Sequence, residues 1–299
     1  MNTGIRPLTE EEKTKNDPYR VGNVLTLTLD GVPEAYKGVT VPEGWILNQA
    51  VIDPFDDRCG GFSSGLDIAL REGKQMDMNF HWMMAREIEP MKREEFGVSN
   101  AYIEKALRKV GVLLKVDSPY DDKTSRDIVA SPASWKITDL QKKAAEQLSG
   151  STVWIKAENG LDAFDVYRAA AWKFGNIYRK PHCAVFGLMY NYGYQADIKE
   201  VSEVGTPHDV CLLPWWEKDY IYMANSLGTA CGINGIQRVH RSVVNKWAEP
   251  FGAFIPIDAS REQIDYVIQN GGGLDKPWLY NIIMSLLTTL KSLINARAT

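Results

Sequence analysis

The hydrophobic period changes along this chain, and that change limits the possible folds more than any other feature. Up to Gly175 the apolar residues recur mostly at helical spacing. "CGGFSSGLDIALREG" (Cys59 to Gly73), "MNFHWMMAREIE" with Asn79 as its N-cap, and "SNAYIEKALRKVG", capped by Ser99 or Asn100 and ended by Gly111, all read as helices. "TDLQKKAAEQL" and "GLDAFDVYRAAAWKFG" continue the pattern. One early segment departs from it: "VLTLTLDG" (Val24 to Gly31) alternates and ends on Asp-Gly, which predicts a strand and turn. Later segments are short, apolar or alternating, and separated by Gly, Pro and acidic turns: "HCAVFGLMYN", "HDVCLLPWW", "DYIYMAN" and "INGIQRVHRSV". They predict antiparallel strands. Helices followed by strands, rather than alternating with them, imply an α+β fold with two lobes.

The C-terminal tail has its own character. "REQIDYVIQ" is a short helix, "NGGG" interrupts it, and "DKPWLYNIIMSLLTTLKSLINARA" is a long one. Leu279, Ile283, Leu286, Leu290 and Leu293 form a heptad-like stripe over residues 276–297. Two readings stand: a helix packed on its own domain, or one that docks on another subunit or partner protein, released by the glycine break. The expected organisation is an N-terminal arm and first strand over 1–39, a main domain over 40–258, and a helical C-terminal extension over 259–299.

The 299 residues suffice for one large domain. A net charge of −4 without any basic run argues against a nucleic-acid partner. The first residues hold no apolar signal region, so secretion through a signal peptide is not expected. The longest apolar runs are too short for a membrane span. Cys59, Cys183, Cys211 and Cys231 are few and scattered, which predicts reduced thiols and a cytoplasmic or virion-associated location instead of a disulfide framework. There is no phosphate-binding loop or Gly-x-Gly-x-x-Gly, so no nucleotide cofactor is expected. His182 beside Cys183 suggests zinc, but no second pair at ligand spacing accompanies them, and no metal is expected.

Chemistry concentrates at Cys59. A thiol at a helix N-terminus is favoured as thiolate by the helix dipole, which is what nucleophilic catalysis requires; the alternative is a small buried hydrophobe without chemistry. "GFSSG" also fits the Gly-x-Ser-x-Gly elbow around Ser63, but the acidic, proline-containing "DPFDDRC" before it is not the buried strand an elbow needs. A base must come from elsewhere in the chain. His208 opens one expected strand and Asn225 ends the next. An antiparallel hairpin sets such positions side by side, so the Asn225 amide would orient the His208 ring.

At these residues the chain resembles the papain family of cysteine peptidases, in the divergent form of its prokaryotic and viral members. "CGGFSS" is similar to the nucleophile block, "HDV" to the His-Ala-Val strand, and "NSLGTACGINGIQRV" to the Asn-Ser-Trp-Gly block. "GVSNAYIEKALRKVG … SPY" resembles the helix and Pro-Tyr segment of prokaryotic and viral members. The resemblance implies a papain-like two-lobed fold and a thiol peptidase or amidase, with Cys59 as nucleophile, His208 as base, Asn225 as orienting residue and a peptide or protein as substrate. Three positions depart from the family. Asp53 stands where the oxyanion Gln belongs, with Gln49 as the nearest substitute. Gly60 replaces the Trp after the nucleophile, and Leu227 replaces the Trp that shields the His–Asn pair. The departures leave a second reading open: a catalytically decayed papain-like assembly protein, such as a phage virion component.

Overall fold

In the computed structural model the strand-forming half of the chain gathers into one sheet. Residues 5–49, 58–89, 98–117, 138–139, 143, 145, 150–191, 196–269 and 273–274 are described. The strands are β1 Ala35–Lys37, β2 Ser151–Ile155, β3 Ala184–Tyr190, β4 Asp197–Ile198, β5 Thr206–Glu217, β6 Tyr220–Ala224, β7 Ile236–His240 and β8 Ala253–Ile257. Their order is β2-β8-β3-β5-β6-β7-β4, with β1 also on β5. Every pairing is antiparallel except β4 with β7. The described helices are α1 Glu10–Asn16, α2 Val21–Val24, α3 Cys59–Glu72, α4 Met78–Ile88, α5 Asn100–Lys109, α6 Ala163–Tyr178, α7 Arg241–Phe251 and α8 Arg261–Gln269.

The two faces of the sheet explain this arrangement. Side chains alternate along β5, so Val210, Leu212 and Trp216 enter the main core with Phe164, Tyr167 and Phe174 of α6. Cys211 and Leu213 face the other way, against Phe62, Leu66 and Leu70 of α3. Each of those α3 side chains gains about 1.5–3 kcal/mol by burial, which holds α3 across the sheet. Helices α4 and α5 pack beyond it, and Ile103 and Phe80 join Trp154, Val185 and Phe254 in a second core. Close approach of α3 to α4 depends on Gly61, where a Cβ would lie 2.6 Å from the Met78 carbonyl oxygen.

Three expectations differ from the structure. "VLTLTLDG" pairs with no strand: residues 21–24 form a helical turn and 26–29 take no regular structure, with Leu25 and Leu27 buried and Thr26 exposed. The alternation describes which side chains go inside, and a buried groove satisfies it as well as a ladder does. Helix α4 is capped by Asp77, not Asn79, because the Asp77 carboxylate accepts from the amides of Asn79 and Phe80. The last strand segment stops at His240, whose ring accepts from the Ser242 amide and starts α7. The N-terminal arm lies against the domain. Ile5, Leu8, Val21 and Val24 are buried, and Arg6 pairs with Glu12 and Glu89. Asp53 and the helix expected over 276–297 lie outside the described residues, as does most of "TDLQKKAAEQL". Among the described residues no helix is long and apolar enough to cross a membrane.

Candidate active site

Cys59 is the first residue of α3, and its side chain is fully buried. The Asp209 amide, which is the peptide joining it to His208, donates to the Cys59 Sγ at 3.3 Å. The sulfur therefore sits between the N-terminal end of a helix and the peptide that follows His208. Arg58, immediately before it, is also buried, with its guanidinium on Asn79 and over the Phe62 ring. The Ser63 hydroxyl donates back to the Cys59 carbonyl at 2.7 Å from within α3, so it stands in a helix and not at an elbow.

His208 and Asn225 meet as the hairpin reading expects. His208 Nε2 lies 2.9 Å from Asn225 Oδ1. Register runs Cys211 to Ala224 and Leu212 to Met223, which brings the start of β5 beside the residue after β6. Asn225 is fixed from two further sides. Its amide N–H donates to the Gly235 carbonyl at 3.1 Å, and its Nδ2 donates to Gln237 Oε1 at 3.0 Å. Tyr190 Oη donates to the same Gln237 oxygen at 3.2 Å. With Nδ2 used as donor, Asn225 Oδ1 is the acceptor, so His208 Nε2 carries the proton and Nδ1 is left unprotonated. Burial holds the His208 ring down to about 4, with the Asn225 bond acting the other way. The imidazole is thus neutral at pH 7, the state a general base needs.

Leu227 stands where the resembling block has its shielding Trp. The structure places Tyr190 against the imidazole instead, ring centroids 5.3 Å apart. Gln49 is buried and tied to the residue after Asn225: the Ser226 hydroxyl donates to Gln49 Oε1 at 2.6 Å, and the Gln49 backbone N–H donates to the Ser226 carbonyl at 2.9 Å. Tyr190 and Gln237 were not singled out from sequence. For Gln237 the signal was its place in "IQRVH", where it shares the inward parity of Val239. A buried amide at such a position needs polar partners. His182 lies apart from this cluster, with Nδ1 on the Pro256 carbonyl. Among the described residues no three His, Cys, Asp or Glu side chains group as metal ligands.

Xylellain, a cysteine protease from Xylella fastidiosa, superposes over 86% of this chain and 92% of its own with a TM-score of 0.59, at 14% identity. The fold is papain-like. The Carica candamarcensis cysteine protease CMS1MS2 aligns with 77% of this chain and 100% of its own, with a TM-score of 0.49 and 14% identity. Bromelain from Ananas comosus aligns with 76% and 99%, with a TM-score of 0.48 and 14% identity. No protein-family model and no curated protein matches the sequence. Within this papain-like fold, α3 carries the cysteine, and the β5–β6 hairpin carries the histidine and asparagine.

Proposed function

We propose that the chain is a thiol hydrolase that cleaves a peptide or amide bond through Cys59, His208 and Asn225. One observation supports this above the others: the sulfur rests on the peptide after His208, while the ring of that histidine is oriented by Asn225. In the reaction, His208 Nδ1 takes the thiol proton and the Cys59 sulfur attacks the substrate carbonyl carbon. The tetrahedral oxyanion forms beside the amides of the first turn of α3. As the C–N bond breaks, the imidazolium returns its proton to the leaving amine, leaving a thioester. His208 then deprotonates a water, which attacks the thioester and releases the acid and the thiol. Gln49, whose Oε1 accepts from the Ser226 hydroxyl, is the candidate for the second oxyanion donor, a role the family's Gln would otherwise fill.

The decayed, assembly-type reading has an observation in its favour as well. Cys59 has no exposed surface and His208 only 2%, so substrate must first displace whatever covers them. A panel of fluorogenic peptides assayed with wild type and Cys59→Ala separates the readings. Turnover that disappears in the variant supports the hydrolase. No turnover by wild type across the panel, together with no covalent adduct on Cys59 from a peptidyl electrophile, would leave the assembly reading.

A further inference from the structure

Asp209 stands next to His208, where the resembling block has alanine, and its carboxyl has no part in the mechanism above. It leaves β5 on the opposite face from His208. Oδ1 accepts from Asn100 Nδ2 of α5 at 3.0 Å, and the same Asn100 amide donates to the Gly252 carbonyl at 2.9 Å. Oδ2 is buried and has no hydrogen-bond partner among the described residues. It points at α3: a Cβ on Gly60 would lie 2.9 Å from it. Gly60 is the second residue of that helix, where the first-turn amides have no intrahelical acceptor, and Phe62 is the first residue to bond back, to Arg58. The glycine that replaces the family's Trp is therefore the space this carboxyl fills.

We infer that Asp209 is a positioning residue that sets the pH at which Cys59 becomes a thiolate, because carboxyl and thiol compete for the same N-terminal end of α3. The inference rests on Cys59 being the nucleophile. The helix end, together with the Asp209 amide on the sulfur, favours one negative charge. Two negative charges there oppose each other, so ionised Asp209 disfavours the thiolate and a thiolate keeps Asp209 protonated. The cation beside this helix end is Arg58, one residue before Cys59, whose buried guanidinium bonds Asn79 and lies over the Phe62 ring. Against the carboxyl lie Gly60 of α3, Asn100 of α5 and Gly187 of β3; the backbone amide of the same Asp209 is on the Cys59 sulfur, and His208 leaves the strand on the opposite face. Burial pushes the carboxyl up to about 7, with the Asn100 bond opposing, so its titration falls within the working range of a thiol enzyme.

The test is the pH dependence of Cys59 alkylation by iodoacetamide, followed by peptide mass spectrometry on the full chain. Asp209→Asn keeps an acceptor for Asn100 and removes the charge. The midpoint of the rise in Cys59 reactivity is expected to move down by about one to two pH units relative to wild type. Asn100→Ala removes the donor that favours the carboxylate, so Asp209 ionises less readily. The midpoint should move the same way by a smaller amount, which keeps the inference testable if Asp209→Asn folds poorly. A purely structural role would lower the melting temperature and leave the midpoint in place. An unmoved midpoint, or an upward shift in either variant, overturns the inference. The hydrolase reading fails separately, if wild-type Cys59 alkylates no faster than Cys183 near pH 6. The midpoints are still read in that case.

Discussion

Cys59 and Cys183 are both fully buried, and each lies near a buried carboxyl that burial pushes up to about 7, Asp209 for the first and Asp67 for the second. What meets the sulfur differs. Cys59 opens α3 and its Sγ receives the Asp209 amide. At Cys183 it is the backbone amide that is engaged, donating to Asp67 Oδ1 at 3.0 Å, while the thiol is packed against Cys211. Burial, with the Cys211 and Asp67 neighbours adding to it, pushes the Cys183 thiol well up. Burial is common to both thiols and does not distinguish them. The direction of the nearest N–H groups decides whether a buried sulfur has any use for a charge.

The strongest way to break this comparison is to delete each sulfur. If Cys59 is the nucleophile, Cys59→Ala lowers turnover by about 10⁶-fold, as removal of a catalytic nucleophile does elsewhere, whereas Cys183→Ala changes turnover little and mainly lowers the melting temperature. Comparable losses of turnover from both variants would end the distinction. Asn225→Ala frees the His208 ring and is expected to reduce kcat by about 10²–10⁴-fold, the range of general-base catalysis, with little change in KM. A variant with wild-type kcat would remove Asn225 from the site. Gln49→Ala should cost about 10²–10³-fold in kcat if its amide faces the oxyanion. If Asp53→Ala costs more than Gln49→Ala, the donor has been assigned to the wrong residue.

The smallest effect concerns stability at the Cys183 end. Asp67 keeps its proton in the folded chain to about 7, against 3.8 for the ordinary carboxyl, because burial outweighs Arg71 and the Cys183 amide. A raised carboxyl pKa contributes stability that is complete below the unfolded value and is lost as pH climbs to the folded one. Asp67→Asn should therefore gain on wild type between pH 4 and 7, by at most about 4 kcal/mol. Denaturant melts across that range measure it, and a gap between the two proteins that stays constant with pH would show that Asp67 does not titrate there. His208 behaves in the opposite sense: its depressed value costs stability as pH falls from 6.5 towards about 4.

Much of this was legible because it is local. Hydrophobic period and capping residues act over a few positions, so α3, α5, α6 and the strands at 184–190, 206–217 and 220–224 could be read from the chain with small errors at their ends. Period failed where two local signals compete. At residues 24–31 the alternation was obeyed by an irregular segment without a partner strand, and at His240 a side chain able to cap a helix interrupted a run that read as strand.

By itself, the sequence determined the cysteine at a helix start, the histidine at the mouth of a strand and the asparagine at the end of the next. Those positions depend on nearest-neighbour geometry and on one short hairpin. Only the tertiary structure decided what surrounds them. Tyr190 on β3 lies against His208, and Gln237 on β7 accepts from Asn225, because β3 and β7 flank the β5–β6 hairpin in the sheet. Asn100 reaches Asp209 across 109 positions because α5 packs behind α3. Such contacts arise from packing between elements far apart in the chain, and no periodicity within either element encodes them.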